Sequence, residues 1–200
     1  MSKDVREPQQ QRSIDKKNRI IDAGYELFAE VGYFNTNTSE IAKKAGVSTG
    51  IVYGYFRDKR DILIEVLDIY VDNVFYPVLQ MFDKITAPID FDFLVAHAVD
   101  SAVKVHEKNS AIHEALHSLS STDKIVRDKF MSLENDMTNK FVEKLRSLGY
   151  DRNDIFERVH LAMETAQSYA HECVFDKHSY IDYARMRDIV IDMLVYLFKK

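Results

Sequence analysis

Residues 37–63 constrain the fold most, because their pattern predicts a helix, a tight turn, a second helix and the start of a third. Asn37 and Glu40 have the three-residue spacing of a capping box, which marks the start of a helix. Gly46 follows a short apolar stripe, at the point where a helix end favours a left-handed backbone. The stretch therefore predicts a helix-turn-helix.

The second helix of this stretch has an inward and an outward face. Val52 and Phe56 are four residues apart and are expected to face inward, and Ser48 is expected to cap the helix start. The residues left to face outward are Thr49, Gly50, Tyr53 and Tyr55. A helix-turn-helix places its second helix in the DNA major groove. We therefore expect the outward face to meet double-stranded DNA.

The outward residues suit that task chemically. Gly50 has no side chain, so the helix can approach a duplex closely. A tyrosine offers an apolar ring with a hydroxyl tip, which suits a thymine methyl group or a phosphate. Lys59, at the start of the next helix, is expected to neutralise a phosphate. The predicted DNA-binding residues are Thr38, Ser48, Thr49, Gly50, Tyr53, Tyr55 and Lys59.

Residues 41–63 follow the order Ile-Ala-x2-Ala-Gly-Val-Ser-x-Gly-x2-Tyr-x-Tyr-Phe-x2-Lys-x3-Leu. This order resembles the DNA-binding signature of TetR-type (TetR/AcrR-like) transcriptional repressors. The resemblance covers roughly the first third of the chain. Ile51 and Gly54 depart from the residues that many members carry, and Gly54 lowers helix propensity by roughly 1 kcal/mol. The alternative is a plain helical hairpin without a DNA role. It is disfavoured because the outward residues match the signature as well.

The composition favours an all-α protein, since 6 Gly and 3 Pro are few in 200 residues and no alternating β-branched runs occur. The formal net charge of -5 looks unsuited to a DNA binder, but the charge is unevenly distributed. Residues 1–60 carry 11 Lys and Arg against 8 Asp and Glu, whereas the remainder carries 16 against 24. The basic end is the end with the helix-turn-helix, as DNA binding requires.

The single cysteine, Cys173, excludes a disulfide within the chain and is typical of a reducing compartment. Residues 1–19 lack the apolar segment of a signal peptide. No stretch of about 18 apolar residues is present. These features predict a cytoplasmic protein without a membrane span.

Helical periodicity predicts about nine helices. We expect residues 1–58 to form a tail and the DNA-binding domain, and residues 59–200 to form a helical domain for effector binding and dimerisation. The fourth helix starts near Lys59, and Pro77 is expected to kink or break it. The resemblance implies that this helix connects the two domains.

The last two predicted helices, near residues 153–175 and 181–198, both carry apolar stripes. Two stripes at the end of a chain exceed what one core needs, so they indicate a subunit interface. The resemblance implies a homodimer in which these helices form a four-helix bundle. Packing within one chain is the alternative.

The C-terminal region is rich in aromatic, methionine and histidine residues, which suits a cavity for a small apolar or amphipathic ligand. The resemblance implies that helices five to eight enclose an effector. Core packing is the alternative for each candidate, and it is the favoured one. The predicted ligand-binding residues are His113, His117, Phe130, Met163, Gln167 and Tyr169. The sequence predicts no cofactor and no catalytic residue.

His113-Glu114-x-x-His117 is the strongest competing pattern, because two histidines at i and i+4 with a glutamate match a zinc peptidase motif. A peptidase also needs a third ligand and a cleft with a strand edge, and no strand is predicted. Two further alternatives are a regulatory metal site and an adaptor bundle that does not bind DNA. The favoured prediction is a dimeric repressor that a small molecule releases from a pseudo-palindromic operator.

Overall fold

A computed structural model describes residues 11–200, apart from the side chains at positions 71, 73–75, 77 and 78. Within this range the chain forms nine α-helices and no strand, which confirms the all-α prediction. The helices are α1 Gln11–Val31, α2 Thr38–Lys44, α3 Thr49–Tyr55, α4 Lys59–Asp83, α5 Phe91–Lys108, α6 Ser110–Ser120, α7 Lys124–Ser147, α8 Ile155–Val174 and α9 Tyr183–Lys199.

Local sequence signals set the boundaries of the first helices. The Asn37 side chain accepts hydrogen bonds from the backbone of Ser39 and Glu40, and the Glu40 side chain accepts one from the Asn37 backbone. This is the predicted capping box. Gly32 and Gly46 end α1 and α2 at φ 84° and 66°, a left-handed region that favours glycine. The left-handed turn predicted at Gly46 is therefore confirmed.

Helices α1, α2 and α3 pack together around a common core, to which the start of α4 contributes. The apolar side chains at this core are fully buried and include Ile20, Phe28, Ile41, Val52 and Ile62. The inward face predicted for α3 is confirmed, since Val52 and Phe56 are both buried. Burial of such side chains stabilises the fold by roughly 1.5–3 kcal/mol each.

The described residues divide into two compact units. The first unit comprises the described residues up to Asn73 together with Ala111–Phe130, and the second comprises Val74–Ser110 and Met131–Lys200. The first unit thus holds more than the predicted DNA-binding domain, because it includes the start of α4, all but the first residue of α6 and the start of α7. A functional boundary at residues 58 and 59 stays a prediction.

Helix α4 runs without interruption from Lys59 to Asp83, so the break expected at Pro77 is absent. The Pro77 and Val74 side chains lie outside the described part of the structure. Gln11 and the residues after it are helical, as α1 covers Gln11–Val31. Residues 1–10 lie outside the described range.

The core of the second unit forms where α5 packs against α8 and α9. Aromatic rings supply much of its volume. Phe91 stacks on Phe198 with ring centroids 5.3 Å apart, and Phe82 packs against Phe141 at 4.7 Å. Rings at these separations are within the range of favourable aromatic pairs. Among the described residues, no helix is both long and apolar enough to cross a bilayer.

Candidate nucleic-acid interface and ligand cavity

The outer face of α3 is low in bulk. Gly50 and Gly54 are both exposed, and no heavy atom lies within 4 Å of a Cβ built on Gly54. Tyr53 lies between them with 49% of its surface exposed. Because the two glycines have no side chains, the backbone of α3 on either side of the Tyr53 ring can closely approach a partner surface. The predicted outward orientation of Gly50 and Tyr53 is thus what the structure has.

The Tyr53 ring is held in place by α2. Its hydroxyl lies 3.0 Å from the Thr38 hydroxyl, at hydrogen-bond distance. Thr38 is the first residue of α2 and is half-buried. The contact reduces the freedom of an exposed side chain, so less conformational entropy is lost when the ring binds a partner. The structure therefore brings two of the predicted DNA-binding residues together.

Tyr55 differs from its expected outward orientation. Its side chain is half-buried, and its hydroxyl lies 2.7 Å from the Ser13 hydroxyl of α1. This contact links the end of α3 to the start of α1. Thr49 is likewise half-buried at the start of α3. Both residues border the exposed face rather than forming its centre.

Ser48 occupies the N-cap position of α3, but its hydroxyl makes no capping hydrogen bond. The expected side-chain cap is therefore absent. The Ser48 backbone carbonyl nevertheless accepts hydrogen bonds from Ile51 and Val52 and begins the helix. Because Ser48 is exposed, its hydroxyl can meet a phosphate without breaking a cap.

Lys59 is engaged with the protein backbone. Its Nζ donates to the carbonyl oxygens of Tyr33 at 2.6 Å and Thr36 at 2.7 Å, and lies 4.3 Å from the centre of the Tyr33 ring. Burial lowers the Lys59 pKa from its ordinary value. The sequence predicted a phosphate contact, which stays a prediction. The structure adds that Lys59 joins the start of α4 to the loop between α1 and α2.

Substitution Lys59→Met is expected to lower the free energy of unfolding by about 2 kcal/mol. The reason is that hydrogen bonds from a charged donor contribute roughly 1.5–3 kcal/mol. Urea denaturation measures the change. Lys43→Met is the matched control, since Lys43 is exposed on α2 and its side chain makes no hydrogen bond or ion pair with another described residue. Equal losses in the two variants would contradict a structural role for Lys59.

Arg19 is a basic residue near the turn that sequence reasoning missed. Its Nη1 lies 3.8 Å from a Cβ built on Gly46, so the exposed guanidinium lies beside the turn between α2 and α3. In the sequence, the only indication of a DNA-contacting role for Arg19 is that it is a basic residue on the outer face of α1. Lys17, by contrast, is paired with Glu65 at 2.8 Å. A phosphate contact suits Arg19 better than Lys17.

The second unit contains an apolar cavity of about 130 Å³. Its walls come from α5, α7, α8 and α9 together with Phe82 of α4. Three polar side chains reach the wall, Ser101, His106 and Gln167, and no charged side chain of the described residues does. The predicted ligand residues Met163 and Gln167 line this cavity.

The other predicted ligand residues lie elsewhere. Tyr169 is buried but is not part of the cavity wall, and its hydroxyl donates to the Tyr183 carbonyl at 3.1 Å. His113, His117 and Phe130 belong to the first unit. A ligand role for these four residues stays a prediction that the geometry of this cavity does not support.

The His113-Glu114-x-x-His117 motif lies on α6. His113 is buried and its Nδ1 lies 3.0 Å from the Tyr70 hydroxyl. The His117 ring is exposed, 4.4 Å from the His113 ring and 6.3 Å from the Phe130 ring. Glu114 is exposed. Within the first unit, His113 thus contacts both the buried Tyr70 and the second histidine of the motif, His117.

Glu134, His160 and Glu164 form another cluster, between α7 and α8, with ligand atoms within 4.8 Å of one another. The His160 ring lies 3.4 Å from the Glu134 carboxylate. Burial and the neighbouring Glu164 both raise the pKa of Glu134. The cluster thus places one imidazole beside a pair of carboxyl groups.

Comparison with known proteins identifies the N-terminal region of the chain. Residues 20–66 match the model of the bacterial regulatory proteins of the tetR family. The chain thus carries the DNA-binding region that this family model describes. The chain is 36% identical over 85 residues to the transcriptional regulator HbdR of Aromatoleum sp. (strain CIB), covering 42% of the chain and 36% of HbdR. It is 51% identical over 51 residues to the fatty acid metabolism regulator protein of Bacillus subtilis, covering 26% of each.

The TetR fold extends over nearly the whole chain. A TetR-family transcriptional regulator from Mesorhizobium loti MAFF303099 superposes with a TM-score of 0.73 at 21% identity, covering 94% of this chain and 97% of that one. FadR of Bacillus subtilis, solved with stearoyl-CoA, superposes with a TM-score of 0.63 at 22% identity, covering 89% and 97%. At such identities the likeness concerns the fold. The aligned segments span about a third of the first curated relative.

These relatives are transcriptional regulators and not enzymes. The family finding therefore favours the regulator and gives the hydrolase reading of the α6 motif no support. The exposed face of α3 lies within the residues that match the tetR-family model.

Proposed function

We propose that this protein is a dimeric transcriptional repressor that binds a pseudo-palindromic operator and leaves it when a small molecule binds the second unit. The observation that carries the proposal is the exposed face of α3, with Tyr53 between two bare glycines. In a helix-turn-helix this helix enters the major groove. A ring with a hydroxyl tip and little neighbouring bulk suits base edges and thymine methyl groups.

The dimer is proposed from α8 and α9. Ile189, Met193 and Tyr196 follow i, i+4, i+7 spacing on α9, and each is more than half exposed. Phe156 and Leu161 add exposed apolar surface on α8. A contiguous apolar stripe of this kind marks an interaction site. A two-fold partner would cover it. Dimeric helix-turn-helix proteins bind half-sites about 34 Å apart, one helical turn of DNA.

Ligand control is proposed from the cavity in the second unit. Two structural neighbours were solved with small molecules, FadR with stearoyl-CoA and a transcriptional regulator of Saccharomonospora viridis with choline. A ligand releases DNA only if it binds the non-DNA state more tightly. A tenfold preference supplies about 1.4 kcal/mol of coupling at each site.

A footprint on the intergenic DNA next to the gene tests the proposed function. We expect two protected half-sites on one face of the duplex, with an affinity that falls steeply as salt rises. An unrelated duplex of equal length is the control. Equal affinity for both duplexes at every salt concentration would refute sequence-specific regulation.

A further inference from the structure

We infer that the cavity of the second unit selects an uncharged ligand with a hydrocarbon body the size of a ring or a short chain, held by hydrogen bonds to Gln167 and Ser101. This inference rests on the proposed ligand control, because it concerns the same cavity. It adds the chemical class of the ligand and two specificity-determining residues, which family membership does not supply.

The exclusion of charge follows from the cavity wall. No Asp, Glu, Lys or Arg of the described residues lines it. The titratable side chain at the wall, His106, is buried with its Nδ1 2.8 Å from the Ala102 carbonyl oxygen, so a carboxylate or ammonium group would find no fixed opposite charge there. Transfer of an unpaired charge into an apolar site costs several kcal/mol or more. The part of the ligand inside the cavity is therefore neutral at the pH at which it binds.

The size of the buried group follows from the volume. The cavity holds about 130 Å³. Engineered protein cavities of roughly 150 Å³ with aliphatic and aromatic walls take up benzene. Phe82, Phe91 and Phe198 are among the wall residues and supply flat apolar surface. A benzene-sized ring and a short alkyl chain share this hydrocarbon chemistry, and the test separates the two.

The proposed hydrogen-bonding group of the ligand is inferred from two polar side chains at the cavity wall. No hydrogen bond joins the Gln167 amide or the Ser101 hydroxyl to another described residue. Gln167 lies on α8 and Ser101 on α5, the two helices that pack against each other in this unit. An amide can both donate and accept, so a hydroxyl or carbonyl group on the ligand satisfies it.

The test uses the full chain without DNA and measures the binding of matched probes by isothermal titration calorimetry. Benzyl alcohol, benzoate and benzylammonium share one ring and differ in charge. We expect benzyl alcohol to bind more than about 100-fold more tightly than either ion, because each ion would bury an unpaired charge. Pentanol and pentanoate repeat the comparison of a neutral and a charged probe with an alkyl chain in place of the ring. Whichever of benzyl alcohol and pentanol binds more tightly shows whether the cavity prefers a ring or a chain.

Three variants assign the binding to this cavity. Ala98→Leu adds volume at the wall and is expected to abolish binding of benzyl alcohol. Gln167→Leu is expected to weaken benzyl alcohol about 3- to 10-fold and to leave toluene unchanged, since toluene has no hydrogen-bonding group. Gln80→Leu, at an exposed glutamine of α4 outside the cavity, is the matched control and is expected to bind as the unaltered chain does. Circular dichroism checks that each variant is folded.

Equal affinity for benzyl alcohol and the two ions would overturn the inference, and so would the absence of binding by every neutral probe. Equal effects of Gln167→Leu on benzyl alcohol and toluene would remove Gln167 as a specificity residue. The proposed function fails by a different readout, the footprint, which does not involve these probes. The two failures are therefore distinguishable.

Discussion

The double substitution Ile189→Asp with Met193→Asp is expected to convert the protein from a dimer to a monomer and to lower operator affinity more than about 100-fold. Both side chains are over half exposed on α9, and a partner helix would bury them. Two buried carboxylates without counter-charges would cost several kcal/mol. Sedimentation velocity measures the mass of the particle, and a gel-shift titration measures the affinity.

The matched control is Ile125→Asp, because Ile125 is also an exposed isoleucine but lies on α7 in the first unit. This variant is expected to sediment as the unaltered chain does. A double variant that stays dimeric would show that the dimer does not use this face of α9. A monomeric variant that binds the operator with the affinity of the unaltered chain would show that operator recognition does not require the dimer.

The substitution Gly24→Ala is expected to lower the free energy of unfolding by about 1–3 kcal/mol, although alanine is the better helix former. A Cβ built on Gly24 would lie 2.6 Å from Cγ2 of Ile62, closer than atoms in a folded core approach. Ile62 is fully buried and its methyl group is next to the backbone, so it cannot move aside. Overpacking of this kind costs roughly 1–3 kcal/mol.

Gly54→Ala is the matched control, since a Cβ at Gly54 meets nothing within 4 Å. It is expected to raise the free energy of unfolding by about 0.5–1 kcal/mol through helix propensity. A double-mutant cycle with Ile62→Ala isolates the clash, because the loss from Gly24→Ala should shrink once Cγ2 is removed. An unchanged loss in the Ile62→Ala background would show that the clash is not its cause.

The sequence predicted features that depend on a few neighbouring residues. The capping box at Asn37, the left-handed Gly46 and the inward face of α3 follow from local backbone chemistry and helical spacing, and all are observed. Such signals need no knowledge of the tertiary structure. Helix order and the all-α class follow from the same spacing.

Features that depend on distant parts of the chain were missed. The contact of Tyr55 with Ser13 spans 42 positions, and that of Lys59 with the Tyr33 carbonyl spans 26. Neither spacing carries a sequence signal, so both side chains were expected to point outward. The same limit applies to the cavity, whose wall depends on how α5 packs on α8. Met163 and Gln167 were predicted, whereas Ser101 and Phe82 were not.

The most direct measurement compares the operator affinity of Tyr53→Ala with that of Tyr180→Ala. Both tyrosines are well exposed, but only Tyr53 lies on α3, and Tyr180 lies between α8 and α9. If α3 contacts base edges, Tyr53→Ala weakens specific binding by about 1–3 kcal/mol, or roughly 5- to 150-fold, and Tyr180→Ala leaves it unchanged. Equal affinities for the two variants would contradict recognition of DNA by α3.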